Sequence, residues 1–351
     1  MKNFKKAMSM ALVATLILTM FACGNKSEAT APASNDAAPA AEVKKVELKL
    51  GFENSMSEPV GQGLQKWADL VAERSNGTME IVLYPDSQLG NKNDLIDQML
   101  LGENVCTLAD GAFYADYGVP DFGIVFGPFL FDNWDQAWTL TKSDWYKEQC
   151  IQLENKGLKI LTSNWAYGAR HTMTVNPVNK VEDLAGMKIR VPGNKIQSYG
   201  FDALGATSVG MALGDVYGAL QSKTIDGAEN PLATLYGRKL QEVAKNIILD
   251  GHVLNFTTWV CSNDWFNSLT KEQQDILVSC GEEAGVYNNQ KLSELEDSYK
   301  QKFLDEGCTI VEPSEEVLKG FRDKAKSFYD RGKELGWSDG LYDTVCKAMG
   351  K

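Results

Sequence analysis

The chain has 351 residues, with 47 acidic against 35 basic side chains and a formal net charge of −12. That balance excludes the basic face on which nucleic-acid binding depends. Two histidines, His171 and His252, and no CxxC pair among seven cysteines leave little room for a Cys/His zinc site or a His-activated nucleophile.

The first residues are read as a leader rather than as fold. Lys2, Lys5 and Lys6 precede an apolar run from Ala7 to Ala22 that stops at Cys23. The run is too short for a membrane span and has the layout of a signal peptide, residues 1–22. Ala22-Cys23 resembles a bacterial lipobox, although Met20 stands where Leu is usual. Cleavage before Cys23 and lipidation of its sulfur are expected, against an ordinary secretory signal with a chance cysteine. Residues 23–45 are rich in Ala, Ser and Pro, carry almost no large apolar side chains, and read as a flexible tether. Six cysteines follow: Cys106, Cys150, Cys261, Cys280, Cys308 and Cys346. Export permits disulfides, and scattered buried thiols are the alternative.

From Val46 onward the pattern is α/β, long enough for two lobes. Val46, Leu48, Leu50 and Phe52 alternate as a strand. Val60, Leu64, Trp67 and Val71 fall on one helix face, with Ser57 as the expected cap and Pro59 in the first turn. Met79, Ile81 and Leu83 alternate again, which makes a parallel pair with a crossover helix. A second helix (Leu95, Ile96, Met99, Leu100) and a strand near Val105 continue the pattern. In such sheets ligands sit outside the carboxyl ends of the strands, here Glu53-Asn54 and Asp110-Gly111.

The middle repeats the logic. Residues 157–175 read as two strand pieces around a polar turn. In "GMKIRVPGNK", Ile189 and Val191 point one way and Arg190 the other, before Pro192 ends the strand. A helix ends at Gly205, and a helix and strand stop at Pro231. Thr270 and Gln273 form a capping box that opens a helix of some 30 residues, with a break expected near Gly281–Gly285. A final strand and a helix through Val317, Phe321 and Phe328 close the chain.

Catalytic apparatus is sparse. Neither histidine lies in a GxSxG or papain-like context, and both read as structural groups or minor ligand contacts. "GQGLQK" at Gly61 is an incomplete GxGxxG, and no P-loop is present. Asp226 and Glu229 are weak candidates for a glycosidase pair. An exported two-lobed chain without that apparatus reads as a binding protein rather than an enzyme, with an extracytoplasmic lipoprotein hydrolase as the alternative from another class. No cofactor and no metal are expected.

Several segments then match a family in order: "LYPDSQLGNKNDLIDQML", "FGPFLFDNWDQAW", "AYGARHTMT", "DLAGMKIRVPGNK" and "GATSVGMALGDVYGALQSKTIDGAENPL". They resemble the solute-binding proteins of tripartite ATP-independent (TRAP) transporters, the C4-dicarboxylate receptor family, from Val46 to about Lys326. The resemblance implies two periplasmic-binding-protein-like α/β lobes with hinge strands and a long helix spanning both. It divides the chain into lobe I at 46–167 plus 256–295 and lobe II at 168–255 plus 296–351. It further implies capture of organic anions outside the cytoplasmic membrane and delivery to a two-subunit permease; attachment to the membrane is expected from the lipobox cysteine, and the chain is expected to be a monomer.

The family's carboxylate-binding arginine maps to Arg190, a second arginine to Arg170, and the Asn of Glu-Asn-Pro to Asn230. Asp110, Glu53 and Asn54 fall at its strand-end loops. A guanidinium fork suits a carboxylate, and Asn230 can donate to the remaining oxygen. Trp165, Tyr167, Phe113 and Met211 are candidate walls. Leu213 stands where many members carry Phe, and Gly193-Asn194 differ from the sialic-acid binders. The sugar-acid group is favoured, such as a uronate, aldonate or keto-sugar acid, with a dicarboxylate or 2-oxo acid as runner-up.

Overall fold

The computed structural model describes residues Lys45–Lys351; the leader, Cys23 and the tether before Lys45 lie outside the described residues. In the first part, β1 (Val46–Gly51), α1 (Pro59–Arg74), β2 (Met79–Tyr84), α2 (Lys92–Leu100) and β3 (Val105–Ala109) alternate. The helices α3 (Gly111–Asp116), α4 (Trp134–Thr141) and α5 (Asp144–Glu154) lead to a long strand, β4 (Leu158–Thr174). The second part holds β5 (Lys188–Val191), α6 (Lys195–Leu204), β6 (Thr207–Gly210), α7 (Val216–Gln221), β7 (Gly227–Asn230) and α8 (Leu232–Gly237). A second long strand, β8 (Asn246–Ser262), is followed by α9 (Asn263–Ser268) and α10 (Lys271–Asp305). Then come β9 (Thr309–Val311), α11 (Glu315–Tyr329), α12 (Gly332–Leu335) and α13 (Leu341–Ala348).

The nine strands of the described residues join one sheet in the order β2-β1-β3-β8-β4-β7-β5-β6, with β9 on β8. The strands β2, β1 and β3 are parallel, as are β6, β5 and β7, as right-handed crossovers require. Between these halves run β4 and β8, 17 residues each and antiparallel to one another. The β3 strand pairs with the Thr258–Cys261 end of β8, and β7 with the His171–Thr174 end of β4. Both long strands therefore belong to both lobes. The expected two strand pieces are one strand with four register shifts, at Ile160/Thr162, Thr162/Trp165, Ala166/Gly168 and Arg170/Thr172.

The helix α10 runs unbroken for 35 residues from the Thr270 capping box. The break expected at Gly281–Gly285 is absent because these glycines serve close packing. A Cβ on Gly281 would stand 2.6 Å from a Thr162 methyl, and one on Gly285 would stand 2.5 Å from Asn164 Oδ1. Two indoles tie the helix down: Trp67 Nε1 donates to Leu277 O at 2.9 Å and Trp165 Nε1 to Gly281 O at 3.0 Å. Trp67, Trp165 and Trp259 pack together in the first lobe's core. Further along, Tyr299 and Phe303 enter a separate core with Leu235, Leu240 and Ile247. One helix thus braces both cores.

One smaller expectation differs: the α1 cap is Glu58 rather than Ser57, whose hydroxyl instead meets Ser55. The C-terminal α13 buries Leu341 and Val345 in one cluster with Leu140 of α4, Leu153 of α5 and Phe328 of α11. The six described cysteines are free thiols.

In an exposed helix Gly→Ala gains roughly 0.5–1 kcal/mol. Gly281→Ala is expected to do the reverse, losing about 1–3 kcal/mol through overpacking against Thr162 and Trp67. Urea unfolding reads the sign; a stabilised variant would mean that α10 is not clamped to β4.

Candidate ligand-binding site

At the carboxyl ends of the strands lies a cavity of about 240 Å³, the size of a small organic molecule rather than a polymer. Glu53, Asn91, Lys92, Asn93 and Phe113 line it from the β1–β3 side, and Arg190, Pro192, Gly193, Met211 and Ala212 from the β5–β6 side. Local chemistry sets each wall. The Asn91 side chain caps α2, accepting from the backbone of Asn93 and Asp94, which puts Lys92 at the first helical position. Asp110 caps α3, with Oδ1 accepting from Ala112 N at 2.9 Å, and so presents Phe113.

Arg190 is 2% exposed. Its Nε and Nη2 both donate to Met211 O, at 2.9 and 2.6 Å. Its Nη1 is buried and has no hydrogen-bond partner among the described residues. Burial pulls its pKa down to about 10, against the attraction of Glu53 and Glu229, so the group stays cationic at neutral pH. A buried charge with an unsatisfied donor is costly, and an anion is the group that relieves it.

Lys92 is the residue that sequence reasoning missed. It is 7% exposed, with Nζ 3.4 Å from Glu53 Oε2 and 4.3 Å from the Phe113 ring centroid. The signal that could have found it is the Asn91–Asp94 capping box in the connection after β2, which sets the helix start near the strand ends. Burial pushes the Glu53 carboxyl up, but Lys92, Arg190 and Arg238 together bring its pKa below the usual value.

Arg170 does not present a free fork. Its Nε and Nη2 bind the two Glu229 carboxylate oxygens at 2.5 and 2.6 Å, and Nη1 donates to Asn255 Oδ1 at 3.0 Å. Glu229 is in turn 3.1 Å from His252 Nε2, and His252 Nδ1 is 3.1 Å from Asp250. Asp250 accepts from Thr172 Oγ1 at 2.7 Å. Charges therefore alternate through a buried chain on β4, β7 and β8, and Glu229 is held there rather than poised for hydrolysis. Burial would lower the His252 pKa, but Asp250 and Glu229 override it and push it up to about 9.

Other candidates fall elsewhere. Trp165 is core, not wall. Asn54 is fully buried, with Nδ2 donating to Glu58 Oε2 at 2.6 Å and to the Tyr167 hydroxyl at 2.9 Å. Thr234 Oγ1 of α8 donates to the same Glu58 oxygen at 3.0 Å, and Arg238 lies 3.4 Å from Asp86. Asn54 and Tyr167 thus belong to a polar seam joining the two lobes. Burial raises the pKa of Asp110, against Lys92 and Arg170, and its carboxylate serves as a cap. Asn230, opposite His171 in the ladder, is buried and does not line the cavity. Of the sequence candidates, Arg190, Glu53, Phe113 and Met211 meet at the cavity.

Residues 50–334 match the profile of the bacterial extracellular solute-binding protein family 7, DctP. The chain belongs to that family. As a family 7 protein of TRAP type, it is 28% identical over 288 residues to the sialic acid-binding periplasmic protein of Vibrio cholerae, covering 80% of this chain and 87% of the relative. It is 29% identical to the 2,3-diketo-L-gulonate-binding periplasmic protein of Escherichia coli, covering 75% and 80%. Among solved structures, a TRAP periplasmic solute-binding protein from Ochrobacterium anthropi with bound L-fuconate superposes at a TM-score of 0.84. It is 36% identical over 87% of this chain and 100% of that one. One from Actinobacillus succinogenes with bound L-galactonate gives 0.81 and 32%, over 87% and 99%. The family 7 fold is the two-lobed one that the sheet order describes.

Two outcomes are expected. His252 titrates higher folded than unfolded, so its contribution is full below its ordinary value of 6.5 and is lost as pH rises through about 9. Unfolding free energy should decline across that window, and His252→Gln should flatten the decline; an unaltered slope contradicts the charge chain. Thr234→Val strips a donor from buried Glu58 without touching the cavity. It should weaken ligand binding by about 1 kcal/mol, roughly fivefold, read by calorimetry; unchanged affinity would mean that the seam does not contribute to closure.

Proposed function

We propose that this chain captures a small hydroxylated monocarboxylate of the aldonate, uronate or keto-sugar-acid kind and delivers it to a membrane permease. The observation that carries the reading is Arg190: a buried cation whose Nη1 has no protein partner, at a cavity walled by both lobes. Arg190 and Lys92 against Glu53 leave one excess positive charge in the lining, which suits a monoanion better than a dicarboxylate. Glu53 accepts hydrogen bonds from ligand hydroxyls, and Phe113 and Met211 supply apolar contact. Relatives with bound L-fuconate and L-galactonate, and one named for 2,3-diketo-L-gulonate, support the same class.

An anion bridging the two walls favours the closed arrangement by its differential affinity for it. The ligand-holding set is Arg190, Lys92, Glu53, Phe113 and Met211, with Arg170 and Asn230 supporting the floor from the hinge strands. The chain works as a receptor rather than a catalyst. Cleavage before Cys23 and acylation of its sulfur would hold it at the membrane, each buried CH₂ adding about 0.8 kcal/mol.

A thermal-shift screen tests the class, with L-fuconate, L-galactonate and 2,3-diketo-L-gulonate against succinate and neutral sugars. A ligand at 100 times its Kd adds about 2.7 kcal/mol. A response to neutral sugars and to no carboxylate overturns the proposal, and a response confined to succinate reassigns it to dicarboxylates. Arg190→Lys should weaken the best acid at least about tenfold while retaining the fold, since truncating a buried charge pair costs roughly 2–5 kcal/mol. Calorimetry showing wild-type affinity would remove Arg190 from the site.

A further inference from the structure

A second cavity, of about 230 Å³, lies on the hinge and shares no lining residue with the cleft. Its walls include Trp134 of α4, His171 of β4, Leu232 of α8, Leu254 of β8, and Glu296 and Tyr299 of α10. The register shifts at Ala166/Gly168 and Arg170/Thr172 bracket the β4 segment that forms one side.

Its chemistry differs from that of the cleft. Glu296 is the only carboxylate or cation among its lining residues, is exposed, and has no ion pair among the described residues. The field there repels an organic acid and favours a cation. Gly251 N donates to His171 Nδ1 at 3.1 Å, which leaves the ring proton on Nε2. That N–H has no hydrogen-bond partner among the described residues. Between these two polar groups the surface is apolar and aromatic: Leu232, Leu254 and Trp134, whose indole stacks on Trp138 at 5.3 Å.

We propose that this hinge cavity is a second ligand site, for a small aromatic amine carrying a hydrogen-bond acceptor on its ring. The ammonium pairs with Glu296, the ring packs between Leu232, Leu254 and Trp134, and the acceptor takes the His171 Nε2 proton. Because the walls come from β4, β8, α8 and α10, an occupant ties together the elements that bend when the lobes close. Any effect of the amine on acid affinity is then matched by an equal effect of the acid on amine affinity.

Calorimetric titration of the full chain with tyramine tests the site, with phenethylamine and phenol as the probes lacking one polar group each. Tyramine should bind, and each of the other two should bind more weakly. Glu296→Gln changes an exposed helix position that folds regardless, and should weaken tyramine about threefold, as an exposed ion pair allows. Leu254→Trp fills the cavity and should abolish binding. Absence of tyramine binding, or wild-type affinity in Glu296→Gln, overturns the proposal. No organic acid enters these titrations, so the outcome is independent of the ligand assigned to the cleft.

Discussion

Two antiparallel strands carry both lobes, and that sharing constrains everything else. The first lobe's sheet is completed by hydrogen bonds to one end of the β4–β8 ribbon, and the second lobe's by bonds to the other end. Neither lobe can separate without breaking its own sheet. The freedom that remains is bending within the ribbon, where four register shifts leave residues unpaired and increase local twist. The long helix α10 lies along this ribbon and is anchored through tryptophan N–H groups and buried glycines in one lobe and through Tyr299 and Phe303 in the other. Motion is thereby channelled into opening and closing one cleft.

Electrostatics follow from the same layout. In a strongly acidic chain most buried cations are neutralised internally: Arg170 by Glu229, and His252 by Asp250 and Glu229. Arg190 is the contrast. Among the described residues it has no ion pair, and its fork rests on a backbone carbonyl. The protein concentrates an uncompensated positive charge at one point between the lobes. An anion can reach that charge only by entering the cleft.

Much of this was legible in the sequence because period and strand-end position carry the information. Alternation gave β1, β2 and β5, and the spacing of Leu64, Trp67 and Val71 gave α1. Arg190 was legible as the polar face of a short strand at a sheet's carboxyl edge. What failed was long-range. Gly281 and Gly285 read as breakers because local propensity penalises glycine, whereas a neighbouring strand required it. Arg170 read as a free clamp because its partner is 59 residues away on another strand. Trp165 read as a wall because it stands close to Arg170 in the chain, whereas along β4, with its register shifts, it is turned into the first lobe's core. Lys92 went unread because the Asn91–Asp94 capping box fixes where the helix starts but not which way the charge of its first residue turns.

The grip on Arg190 through Met211 O has an evolutionary consequence. A main-chain carbonyl is not encoded by residue identity, so substitution at 211 alters the shape of the wall and leaves the guanidinium aimed as before. Recognition of charge and recognition of shape are therefore separable traits, one on β5 and the other on the loop after β6. A lineage can drift from one acid to another by changing side chains around a fixed anchor, without passing through a form that binds no acid at all.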